Sequence, residues 1–253
     1  MLDEVNAYKL KNVDETILRR KPGPTSHQVK TDPSFERTLE NASDFGGASV
    51  FSVQIRHAGW GLRNLTYSYL HGQLTALGTR LSDLDYEHVR GQRSVAVTKY
   101  HHVLTDYDLN PPSPFNSTLR AKMPCSIDRE TCTALIHIPE LWPRIQLQAP
   151  AKYPFFRLRF ELGVISDVIW EEGHFRAATD EHEMVSVSAD TEWHACSQKR
   201  EAEDLALTLR LEAPLQNCES LALYAGIEWG IPQDVHVIKT VPKAGCAKIL
   251  GLA

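Results

Sequence analysis

The residues best suited to chemistry lie between Asp167 and Glu192, where Asp167, Glu171, Glu172, Asp180, Glu181, Glu183, Asp190 and Glu192 face a single Arg176. His174, His182 and His194 share the region with Cys196. Carboxylates suit calcium or magnesium, and imidazole and thiolate suit zinc, so a metal held here would draw on His174, His182, His194, Cys196, Asp180 and Glu183. Their spacing matches no known site. The structural reading makes them a solvated link between strands, or charges that keep a sheet edge from pairing with another chain. On that reading no catalytic residue, cofactor or metal is assigned, and replacing His174, His182 and Cys196 by Ala should leave folding nearly unchanged.

A second group is cationic: Arg19, Arg20, Lys21 and Lys30 lie on a segment flanked by Asp14, Glu15 and Asp32. Such a segment could hold a phosphate backbone, but it is short and interrupted, and docking on a protein surface is preferred. His101-His102 reads as a surface or inter-domain pair. No phosphate-binding glycine loop, dinucleotide fingerprint, nucleophile elbow or His-Glu-x-x-His occurs.

Positioning these groups falls to two kinds of element. Arg19-Arg-Lys-Pro-Gly-Pro-Thr-Ser-His27 reads as an extended arm, because Pro22 and Pro24 fix φ and bias their predecessors away from helix. Asp32, Pro33 and Glu36 then open a helix, Gly46-Gly47 should stop it, and residues 48–58 form a second short one. Tyr67, Leu70, Leu74, Leu77, Leu81 and Leu84 make a single stripe at helical spacing. Packing within its own domain is the default for that stripe, with a contact between subunits as the alternative.

Asn110-Pro-Pro-Ser-Pro-Phe-Asn116 is read as a linker. Beyond it the period becomes two: Phe156, Leu158, Phe160 and Leu162 alternate with Arg157, Arg159 and Glu161, and Leu205, Leu207, Leu209 and Leu211 repeat the pattern. Further strands are expected at Thr131–Ile138, Met184–Ser188, Leu221–Trp229, Val235–Val241 and Ala247–Leu250. The fold class is therefore α+β. An arm (1–31), a helical domain (32–109), the linker (110–116) and a C-terminal antiparallel β-sandwich-like domain (117–253) follow in order.

Arg20 to Gly46, with its Arg-Lys arm, its Lys30-Thr-Asp-Pro-Ser-Phe35 helix start and its Asn41-Ala-Ser-Asp-Phe-Gly46 ending, resembles a family of uncharacterised proteins of similar length common in bacteria of the Bacteroidetes group. Leu221-Ala-Leu-Tyr-Ala-Gly-Ile-Glu-Trp-Gly230 is similar to the closing strand of the same family. Gly47 to Arg56 departs from it, since a more basic helix would be expected there. The resemblance implies a bacterial protein in two parts, with no established activity.

Composition narrows the classes. The 253 residues are 42% hydrophobic and 23% charged, enough to bury a core unaided. Five scattered cysteines without a Cys-x-x-Cys pair fit reduced thiols, and the opening residues lack a secretory pattern, so a cytoplasmic location is expected. The net charge of −5 disfavours nucleic acid as a partner. The leading expectation is a structural or interaction protein that assembles with itself into an oligomer, filament or particle. Its interface would draw on Arg20, Lys21, Pro22 and Pro24 of the arm, on Phe35, Phe45 and Trp60, and on the stripe through Tyr67, Leu70, Leu74, Leu77 and Leu81. A metal-dependent enzyme or metal-binding module at 167–196 is the first alternative, a nucleic-acid accessory the second. Any small-molecule ligand is left open.

Overall fold

A computed structural model of the chain describes residues 5–9, 15–20, 23–234 and 237–253. It divides into two compact units, Met1–Ala42 and Ser43–Ala253.

In the first unit β1 (Val5–Lys9) pairs antiparallel with β2 (Thr16–Arg20), Ala7 opposite Leu18. The arm is thus not simply extended. Pro24 follows the end of β2 at Arg20, and α1 (Ser26–Thr31) comes next. Thr25 opens α1 with a capping box, its hydroxyl accepting from the Gln28 N–H at 3.2 Å while Gln28 Oε1 accepts from the Thr25 N–H at 2.8 Å. Asp32 caps as its type predicts: Oδ1 accepts from the Ser34 N–H at 2.9 Å and opens a 3₁₀ turn at Pro33–Phe35, from which α2 (Glu36–Ala58) continues. Of the residues up to Ala42 whose burial is described, none is buried.

The expected stop at Gly46-Gly47 does not occur, for α2 runs through both. Gly47 serves packing instead, since a Cβ there would lie 2.7 Å from the Phe175 ring. A 3₁₀ segment at Trp60–Leu65 leads to α3 (Leu70–Ser82), which carries Leu70, Leu74, Leu77 and Leu81 of the predicted stripe, whereas Tyr67 precedes the helix and Leu84 lies beyond it, exposed. Leu70, Leu74 and Leu81 are buried, and Tyr67 and Leu77 pack partly against the same cluster. At Gly78 a Cβ would come within 2.8 Å of Phe51 and 3.0 Å of the Ala48 backbone, so the glycine permits close approach of the α2 segment.

The β part adds β3 (Cys125–Asp128), β4 (Thr133–Ile138), β5 (Phe155–Ser166), β6 (Val168–Glu171), β7 (His174–Ala177), β8 (Ser186–Asp190), β9 (His194–Ala195), β10 (Glu203–Thr208), β11 (Glu219–Asp234) and β12 (Val237–Leu252). One sheet runs β12-β11-β5-β8, with β9 continuing beside β5, and a second runs β10-β4-β3. The strands expected at Val235–Val241 and Ala247–Leu250 are one, β12, and residues 235–236 lie outside the described residues.

Period two explains the layers. Phe156, Leu158, Phe160 and Leu162 of β5 join Leu221, Leu223, Ala225, Ile227 and Trp229 of β11, and these meet Ala134, Ile136, Ile138 and Leu207 of the smaller sheet in one core. The opposite face, with Ile165, Ala222, Tyr224, Ala247 and Ile249, packs on Phe51, Ile55, Ala58, Leu62, Leu65 and the α3 stripe. The helical and β residues from 43 onward therefore share a core, and the boundary expected at 110–116 is corrected. Its prolines do interrupt regular structure, yet Phe115 is buried and its N–H donates to Asp108 Oδ1 at 2.8 Å.

Candidate functional site

The acidic region does not converge. Asp167 accepts from the Thr98 N–H (3.0 Å) and hydroxyl (2.7 Å), and burial pushes its carboxyl above the usual range. Glu171 pairs with Arg176 across the β6–β7 hairpin, whose turn residues Glu172 and Gly173 have φ of 51° and 84°. His174 and Asp180 are exposed, and exposed Glu183 stands 3.9 Å from His57. His194 Nε2 faces the Lys199 carbonyl at 3.0 Å, and burial pushes the Cys196 thiol up to about 11, which keeps it protonated. Among the described residues, no three His, Cys, Asp or Glu side chains come together as a metal group.

His182 corrects one expectation. It is 4% exposed, with Nδ1 2.9 Å and 3.0 Å from the two Glu219 oxygens and Nε2 3.1 Å from the Ala213 carbonyl. Nε2 must donate to the carbonyl, and one proton lies between Nδ1 and the carboxylate. Replacing His182 would strand a buried carboxylate, so the triple Ala variant is not structurally neutral.

The charged face of β5 is also satisfied internally. Glu228 accepts from Arg157 at 2.7 Å and Arg159 at 3.0 Å, Arg159 also reaches Asp190 at 2.8 Å, and Arg157 lies over the Trp193 ring at 4.8 Å. Farther along the strand Glu161 accepts from the Ser186 hydroxyl at 2.9 Å, but its Oε2 is buried without a hydrogen-bond partner.

The assembly candidates separate by burial. Leu70, Leu74 and Leu81 belong to the core and leave no side chain for a partner. Pro24 and Phe45 are exposed, Phe35 is half-buried, Arg20 ends β2, and Lys21 and Pro22 lie outside the described residues. Trp60, Tyr67 and Leu70 line a cavity of about 500 Å³ with Arg56, Arg63, His71 and Lys243. None of the last four was singled out from sequence. A cue existed for one: Pro242-Lys-Ala-Gly245 is turn chemistry inside a strand run, the mark of a bulge. The two arginines carried none.

An α+β body with a helical layer on a two-sheet sandwich is the class this architecture defines. No family model, curated protein or solved structure matches the chain. Among the described residues no helix is long and apolar enough to cross a membrane.

Proposed function

We propose that the chain is a structural protein that assembles with copies of itself, the N-terminal unit of one copy docking on the body of another. The observation that carries this reading is the state of that unit: paired strands and capped helical turns, with no described residue buried. A two-stranded hairpin alone is at best marginal in water, because it orders backbone without burying an apolar face. Leu18 in β2 is 70% exposed and Phe45 is 59% exposed, side chains that a second surface would cover.

Charge favours a second copy as that surface. Thr16–Thr31 holds four cationic side chains and no acidic one, whereas Ser43–Ala253 holds 25 acidic against 20 basic. A backbone edge is available as well. β12 ends the larger sheet; Tyr107 and Leu109 bond to its Ile249 and Ala247, but among the described residues no strand pairs with the outer side of Val237–Thr240. Exposed edges of this kind accept further strands.

Native mass spectrometry of the full chain and of a chain lacking residues 1–31 tests the proposal. Full-length protein should be oligomeric, and the shortened one should give smaller particles whose circular dichroism differs only by the loss of β1, β2 and α1. A full-length chain that stays monomeric at high concentration would refute it.

A further inference from the structure

The cavity beside Trp60–Leu65 reverses the charge of the body around it. Arg56, Arg63 and Lys243 line it, and no carboxylate does. Among the described residues neither Arg56 nor Lys243 engages a partner through its side chain. Arg63 gives one guanidinium nitrogen to the Trp60 carbonyl at 3.2 Å and lies over the Trp60 ring at 4.8 Å, which fixes its direction and leaves its other donors for use.

The backbone that presents these cations is specialised. Gly230 pairs with Thr240 and Glu228 with Gly245, so Val241–Ala244 loops out of β12 opposite Trp229 alone. Within that bulge Lys243 has φ 56°, a conformation that costs an ordinary side chain about 1 kcal/mol or more. Gly245 at φ 126° closes it; a Cβ there would lie 2.1 Å from the Ile227 carbonyl oxygen. Asn110 ties the bulge to the other wall, its side-chain amide donating to the Leu65 carbonyl at 3.1 Å and the Gly245 carbonyl at 3.0 Å. Bulges of this kind re-aim side chains at sites.

We propose that this cavity binds a mononucleotide-class ligand, its phosphates met by Arg56, Arg63 and Lys243 and its flat ring by Trp60 and Tyr67. About 500 Å³ suits a ligand of that size. Guanidinium and ammonium donors recognise phosphate oxygens through charge-assisted hydrogen bonds, and indole and phenol rings accept a planar base. The inference is independent of assembly.

Titration calorimetry on the full chain tests it with ADP, adenosine and inorganic pyrophosphate as probes. ADP should bind once per chain, at least about tenfold more tightly than adenosine or pyrophosphate, and more weakly as salt is raised. The exposed positions allow Arg63→Gln with Lys243→Gln, and separately Arg56→Gln, to be made without loss of circular dichroism; the double variant should lose at least about tenfold in ADP affinity. No saturable ADP binding up to about 1 mM, or equal affinity in the double variant, would overturn the site. Pyrophosphate binding as tightly as ADP would overturn the ring's part in it.

Discussion

Glu161 is 3% exposed, and one of its oxygens has no hydrogen-bond partner. Burial raises its carboxyl above the ordinary value of 4.5, so the folded chain holds this proton more strongly than the unfolded one. Its contribution to stability is therefore fully present below 4.5 and is lost as pH rises through the raised folded value. Asp167, also raised by burial, adds a trend of the same sign. The difference between wild type and Glu161→Gln isolates Glu161: the wild type should lose stability relative to the variant as pH rises through that window. Denaturant titrations at stepped pH measure it, and parallel curves would contradict the assignment. The sequence showed Glu161 alternating with Phe160 and Leu162, which locates it on the second face of β5. Alternation separates two faces but does not say that the charged one is wet. Here α2 and the Trp60–Leu65 segment cover one part of it, and Glu228 and Asp190 neutralise the other, through pairings that sequence spacing does not encode.

Glycine settles how closely the elements approach. A Cβ at Gly163 of β5 would fall 2.2 Å from the Ala58 carbonyl oxygen at the end of α2, whereas one on Gly72 of α3 would meet nothing within 4 Å. Gly163→Ala should therefore cost about 1–3 kcal/mol through enforced backbone separation. Gly72→Ala should gain about 0.5–1 kcal/mol from helix propensity alone. Equilibrium unfolding of the two variants checks the contrast, and equal shifts would contradict it. The α3 stripe and the β5 alternation were legible because each repeats over several turns or residue pairs. Gly46-Gly47 misled as a helix stop because local propensity carries no record of the Phe175 ring that needs the space. β1 and β2 were missed because prolines and charges nearby suggest an extended chain, and Ala7 opposite Leu18 is a pairing between short segments of weak pattern.

At the scale of the whole molecule, the period change from helix to strand near residue 110 was legible, but it marks a change of element type and not of body. Phe115 and the backbone bonds of Tyr107 and Leu109 to β12 join the two halves into one core. The separable part is Met1–Ala42, in which none of the residues whose burial is described is buried. In the proposed assembly, a second copy supplies the surface that orders those elements. Hydrogen exchange at Val5–Lys9 and Thr16–Arg20, followed over a series of protein concentrations, tests this most directly. Protection should rise with concentration and disappear on dilution. Exchange at one unchanging rate across the series, whether fast or slow, would contradict it.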